Sequence, residues 1–137
     1  LAPDFYHGKS AAIGEPDEAQ KLMMELFQAD TAAKDARGAA EYLGAHQAVT
    51  SKRVGTIGFC MGGFLAILVA SVAPDKVAAV VDCYGVGHHV PDLGPMRGTP
   101  VLGIFGGKDH MANAEAVSGL EKAMKDHGVP FTKRVYP

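Results

Sequence analysis

The sequence has little of what marks several classes of protein. Its 13 basic and 15 acidic residues are interspersed and leave a formal charge of −2, so no basic patch offers a footprint for nucleic acid. No apolar run reaches the roughly 18 residues that a membrane-spanning helix needs. The first residues carry neither the charged nor the apolar stretch of a signal peptide. There are two cysteines, Cys60 and Cys83. They are not spaced as CxxC or as a zinc site, and they do not make the disulfide framework of a small secreted domain. A reducing, cytoplasmic setting is the expectation. No repeat, linker or low-complexity tract interrupts the chain.

What is present is a chain of 137 residues, 47% hydrophobic, for which one domain is the prior. Both ends are unusual. Residues 1–6, Leu-Ala-Pro-Asp-Phe-Tyr, read as the last residues of a strand, followed by a His-Gly-Lys-Ser turn. The closing Arg134-Val135-Tyr136-Pro137 reads as a strand just finishing. Domains tend to end in loops or docked helices, so the expectation is a partial domain that continues beyond these residues.

Hydrophobic periodicity orders the rest. Pro16, Asp17 and Glu18 suit a helix first turn, and Leu22, Met23, Leu26 and Phe27 then share one helical face. Asp30 or Thr31 is placed to cap a second helix with Ala36, Ala39, Ala40 and Leu43 on one side. Residues 53–59 form a strand, and the almost wholly apolar 61–73 a buried helix. Residues 77–83 are Val/Ala-rich and read as a continuously apolar strand covered on both faces. A loop over 85–98 leads to a second buried strand, 100–106. A helix near 113–127 turns Val117, Leu120 and Met124 inward and stops at Gly128. A last strand spans 131–136. Alternating strands and helices argue for a parallel α/β sheet with right-handed crossovers, and any site belongs at the strands' carboxyl ends.

The segment carrying chemistry is Gly58-Phe59-Cys60-Met61-Gly62-Gly63, between a strand and an apolar helix. It is the nucleophile elbow G-x-S-x-G with Cys in place of Ser. Side chains two before and two after the nucleophile would collide in so tight a turn, which gives Gly58 and Gly62 their places. The helix N-terminus directs free N–H groups at the sulfur and favours the reactive thiolate. The Met61 N–H is positioned to bind a developing oxyanion. The plainer alternative is a small buried hydrophobe ahead of a helix; the strand, the two glycines and the helix together favour the nucleophile.

A second segment, Phe105-Gly106-Gly107-Lys108-Asp109-His110, follows a later strand. Asp109 stands where a triad carries its acid, which orients a His and stabilises its imidazolium form. Its plainer role is to end the loop or cap the next helix. The third member should be a His after the last strand. Of His7, His46, His88, His89, His110 and His127, none follows it. His110 adjoins Asp109 too closely, and His46 and His127 read as helix C-terminal residues. His88 and His89 fall in a loop on the site face, where solvated residues are the usual finding.

In these stretches the chain resembles the dienelactone hydrolase (carboxymethylenebutenolidase) family of α/β-hydrolases. The matching residues are Ala2-Pro3-Asp4-Phe5-Tyr6, residues 54–63, Cys83-Tyr84-Gly85-Val86-Gly87 and Gly106-Gly107-Lys108-Asp109-His110. The resemblance implies an α/β-hydrolase sheet, mostly parallel, with helices on both faces and partial at both ends. It implies a small-molecule ester or lactone substrate attacked by Cys60, Asp109 as the acid of a Cys-Asp-His triad, Tyr84 in the pocket wall, and no cofactor. The family's His would follow Pro137 by a few residues. The family's preceding strands would supply a second oxyanion N–H and a glutamate beside the resting cysteine. Where the type enzyme has a substrate-binding arginine this chain has Gly8, and Lys9 beside it offers only a point charge.

Other patterns fail. Gly8-Lys9-Ser10 lacks the first glycine of a P-loop, because Pro3 stands there. Gly85-x-Gly87 is followed by Val90 where a dinucleotide fingerprint has its third glycine. His88, His89, Asp109 and His110 have no metal-site spacing. Three further expectations are open. An uncovered sheet edge invites a homodimer. The chain could be a non-catalytic hydrolase scaffold that binds a partner. Cys60 and Cys83, near neighbours on adjacent strands, could form a redox pair.

Overall fold

The structure is a computed structural model that describes residues 1–28, 31–86 and 90–137. Elements run α1 (Pro16–Gln28), α2 (Thr31–Ala45), β1 (Val54–Phe59), α3 (Met61–Val72), β2 (Val77–Cys83), a 3-10 turn at Gly94–Met96, β3 (Val101–Gly106), α4 (Ala114–Asp126) and β4 (Phe131–Tyr136). The four strands form one parallel sheet in the order β1-β2-β3-β4. The expected parallel α/β sheet is therefore present. Asn113 caps α4, its side-chain oxygen accepting the Ala116 N–H at 3.0 Å. Gly128, at φ 70°, ends that helix.

Neighbouring strands that follow one another in sequence, joined by right-handed crossovers, put every crossover on one face. The core reflects this. Ala66, Ile67 and Ala70 of α3, Leu93 and Met96 around the 3-10 turn, and Val117, Leu120 and Met124 of α4 share one cluster with Val80, Val101 and Phe105 of the sheet. A smaller cluster joins Leu26 of α1, Ala32 of α2 and Leu65 of α3, so α1 and α2 pack on α3. The other sheet face lies open among the described residues: Ile57 is 63% and Phe59 60% exposed. Helical cover on both faces is thus met on one face only. The strands expected to be buried on both sides are half-buried at Val81, Leu102 and Ile104.

Two readings of local structure change. Residues 1–6 join no strand. Pro3 has no N–H to give a ladder, and the Asp4 carboxylate instead accepts the Tyr6 N–H at 3.0 Å and the Gly8 N–H at 2.7 Å, winding residues 5–8 into a turn. Phe5 and Tyr6 then pack against the cluster at the start of α3. Thr31 is the first helical residue of α2 rather than its cap; Asp30, the other candidate cap, lies outside the described residues.

Phe105 is the largest side chain in the fully buried set. Phe105→Ala should cost about 3–5 kcal/mol, read as a lowered urea midpoint. A loss under about 1 kcal/mol would show that the core does not close around β3.

Candidate active site

The site begins with the turn from β1 into α3. Cys60 has φ 54° and ψ −125°, a region that an L-residue occupies only when its surroundings impose it. Two backbone hydrogen bonds hold it there. Its N–H donates to the Cys83 carbonyl at 2.9 Å, and its carbonyl accepts from Gly63 N–H at 2.8 Å. The side chain is exposed and makes no capping bond to the helix. Met61 is the first residue of α3, so its N–H has no partner within the helix. The Tyr6 hydroxyl lies 3.5 Å from Met61 Sδ, which fastens the N-terminal turn to the elbow.

The glycines differ from the expectation. A Cβ on Gly58 would overlap the Gly62 carbonyl and lie 2.7 Å from the Gly63 nitrogen. A Cβ on Gly62 would meet nothing within 4 Å. The second residue that must lack a side chain is Gly63, where a Cβ would overlap an Asp82 oxygen and lie 2.9 Å from the Gly85 Cα. The helix turns its crowded side one residue later than the motif suggests, because β2 and the turn after it press on α3 there.

Tyr84 follows β2 at φ 46° and is 42% exposed. Its N–H donates to the Ile104 carbonyl at 2.8 Å, and its ring lies 6.4 Å from that of Phe59. Asp109 follows β3 and is half-buried. Its Oδ1 accepts the N–H groups of Met111 at 2.8 Å and Ala112 at 3.0 Å. The loop-ending role is therefore real, while Oδ2 has no hydrogen-bond partner among the described residues. The loop is tied to the last strand by Gly107 N–H donating to the Tyr136 carbonyl at 2.6 Å. Cys60, Tyr84 and Asp109 thus stand at the carboxyl ends of three adjacent strands, and the end of β4 comes beside the Asp109 loop.

Lys9 lies apart from this row. It pairs with Glu25 at 3.7 Å, in a groove shared with Tyr6, His7 and Leu22. His7 lies 2.6 Å from Asp35, and that hydrogen bond raises its pKa. His127 caps α4 with Nδ1 2.8 Å from the Ala123 carbonyl. His46 sits just past α2 against Tyr42. Both keep the helix-end roles read from the sequence. His110 is exposed beside Asp109, and His88 and His89 lie outside the described residues. Cys60 and Cys83 come together through the backbone bond above, yet both thiols are free. Burial, with the neighbouring Asp82 charge as a smaller cause, pushes the Cys83 thiol up.

Asp82 is the residue that reading the sequence passed over. It lies within β2, a strand whose other residues are Val, Ala and Cys. It is wholly buried, its Oδ1 accepts the Gly85 N–H at 2.7 Å, and its Oδ2 has no hydrogen-bond partner among the described residues. Burial raises its pKa to about 6. The signal was a single acid inside an otherwise Val/Ala/Cys strand.

A profile described as the Dienelactone hydrolase family matches residues 1–137. The protein named usf from Aquifex pyrophilus is 33% identical over 138 residues, covering 99% of this chain and 59% of its own length. A carboxymethylenebutenolidase homolog from Xenopus tropicalis is 31% identical over 139 residues, covering 100% of this chain and 55% of its own. The carboxymethylenebutenolidase of Pseudomonas putida is 32% identical over 125 residues, covering 83% and 50%. A solved structure titled m3DLH superposes with a TM-score of 0.78 at 26% identity, covering 96% of this chain and 55% of that one. The chain spans little more than half the length of the curated relatives it matches.

The elbow gives a direct test of the backbone contacts. Gly62→Ala should fold with a stability within about 1 kcal/mol of the parent, since alanine is the better helix former. Gly58→Ala and Gly63→Ala should lose most of the soluble folded protein. Equal behaviour of all three variants in thermal melts would contradict the close approach described.

Proposed function

Because the chain belongs to the dienelactone hydrolase family, we propose that it forms the nucleophile-bearing part of an enzyme that hydrolyses ester or lactone bonds of small molecules, with Cys60 as the nucleophile. The single observation that carries this reading is the strained φ of Cys60 at a helix N-terminus with its side chain exposed. Strain of this kind persists where the surroundings over-determine it, and it gathers at active sites.

The chemistry runs in two halves. The Cys60 thiolate attacks the carbonyl carbon, and the carbonyl oxygen becomes an oxyanion that the Met61 N–H can bind. The carbon–oxygen bond to the leaving group then breaks, and the leaving alkoxide takes a proton from the general acid. Water, relieved of a proton by the same group acting as base, attacks the thioester and releases the carboxylic acid and the thiol. On this reading the acid–base group is a histidine that follows Pro137. It would emerge from β4 beside the loop that bears Asp109, whose Oδ2, without a hydrogen-bond partner among the described residues, would accept its ring N–H. Tyr84, whose ring lies beside that of Phe59, would line the substrate pocket, and Lys9 would supply at most a point charge to an anionic substrate.

p-Nitrophenyl acetate tests the nucleophile. The expected result is a burst of p-nitrophenolate matched by acetylation of Cys60 and abolished by Cys60→Ala. Acetylation that leaves Cys60 unmodified would remove the reading. In a chain extended past Pro137 that turns over, Asp109→Asn should lower the rate about 100-fold or more.

We also propose that a chain of these 137 residues pairs with a second copy through the edge of β1, alongside which no strand lies among the described residues and beside which Ile57 and Phe59 are exposed on the open sheet face. Open edges carry unpaired N–H and carbonyl groups and invite such pairing. Sedimentation should give a dimer that Ile57→Lys weakens; a monomer at high concentration would refute it.

A further inference from the structure

The Asp82 carboxyl group occupies a place where a central strand ordinarily has an aliphatic side chain. Its neighbours across the sheet are Gly58 on β1 and Gly103 on β3. Above it are Gly63, in the first turn of α3, and Gly85, in the turn after β2, and a Cβ on either would overlap its Oδ1. The Gly85 Cβ position also lies 2.5 Å from the Gly63 carbonyl carbon. Four glycines therefore surround one acid. Two of them bring the helix start and the Tyr84 turn into contact over it.

We propose that Asp82 is a positioning residue of the site: its buried carboxyl ties the Tyr84–Gly85 turn to the first turn of α3, and so holds Cys60 and Tyr84 in their left-handed backbone conformations. The tie to Gly85 is the 2.7 Å hydrogen bond. The tie to Cys60 runs through the adjacent residue, since the Cys83 carbonyl accepts the Cys60 N–H at 2.9 Å. Tyr84, two residues past Asp82, is fixed from the other side by the Ile104 carbonyl. The carboxyl acts from beneath the turn and need not touch substrate.

The arrangement also couples the site to pH. The elements around Asp82 carry few ionisable groups. β1 offers only Cys60 at its end, α3 and β3 offer none, and β2 and its turn offer Cys83 and Tyr84. No cation among these compensates an ionised Asp82, and burial accordingly raises its pKa to about 6. The folded state then holds the proton more tightly than the unfolded chain. Stability is greatest below the ordinary carboxyl range and declines as pH rises through about 6.

The test follows Cys60 alkylation by iodoacetamide from about pH 5 to pH 8, with Cys60→Ala giving the background from buried Cys83. Asp82→Asn keeps an acceptor for Gly85 and cannot ionise. It should match the parent's alkylation rate at the acid end and lose the parent's decline in melting temperature between about pH 5 and pH 7. Asp82→Ala removes the tie and should alter the alkylation rate throughout the range; if it fails to fold, Asp82→Asn alone decides. An Asp82→Ala protein that folds and alkylates at the parent's rate throughout, or an Asp82→Asn melting profile superimposable on the parent's, would overturn the proposal. The inference rests on Cys60 as nucleophile only for its catalytic consequence. The alkylation reads the thiol without any ester, so failure here and failure of the acetyl burst are separate results.

Discussion

The structure depends on how closely the end of β1 approaches the first turn of α3. At Gly58 the distance is set by the Gly62 carbonyl, with no room for a single carbon between them. That approach forces the chain to reverse within one residue, and Cys60 takes the reversal at φ 54°. A left-handed or bridge conformation costs about 1–3 kcal/mol for a residue with a side chain. The cost is offset locally by the bonds from Cys60 N–H to Cys83 and from Gly63 N–H to Cys60. Neither bond would form if the helix stood further off. The exposed sulfur, the Met61 N–H without a partner inside the helix and the contact with β2 are consequences of one short separation.

Parallel topology turns that local event into a site. All four strands point the same way in consecutive order, so the turns after β1, β2 and β3 open on one rim. Each contributes one feature there: Cys60, Tyr84 and Asp109. The tie between Gly107 and Tyr136 brings the end of β4 to the same rim, next to the acid. The crossovers, meanwhile, all lie on the opposite side of the strands from Ile57 and Phe59. The order that gathers the chemistry at one end therefore leaves one sheet face and the β1 edge uncovered in these residues.

How much of this the sequence discloses depends on the range of the forces involved. Strands and helices were legible to within about a residue, because continuous apolar runs and the 3.6-residue period are local signals. The elbow was legible because its glycines and its flanking elements are contiguous. The turn at residues 5–8 is not legible, since an extended-looking Leu-Ala-Pro-Asp-Phe-Tyr does not reveal that Asp4 satisfies Tyr6 and Gly8 locally. The exchange of Gly62 for Gly63 as the second indispensable glycine was not legible at all. It depends on Asp82 and Gly85, distant in sequence and in contact only after the sheet forms. Asp82 itself was hidden by its company, since one acid among valines and alanines hardly changes the average character of a strand.

An acid in that position has to be explained against the simpler choice of an apolar residue. Burying a carboxyl group with one oxygen unpartnered destabilises a fold, and the raised pKa of Asp82 measures the same penalty from the side of the proton. An aliphatic side chain would avoid the penalty and lose two things. It could not accept the Gly85 N–H, which would then be a buried donor without a partner. It would also fill the space over β2 in all directions, whereas the flat carboxyl lets Gly63 and Gly85 close over it to within contact of each other. The elbow needs that closure, because the turn after β2 is what bears on α3 at the residue where the helix cannot carry a side chain. Stability given up at Asp82 is therefore spent on the position of the backbone around Cys60. The fold departs from the pattern of an apolar central strand at the place where its geometry has to be most tightly fixed.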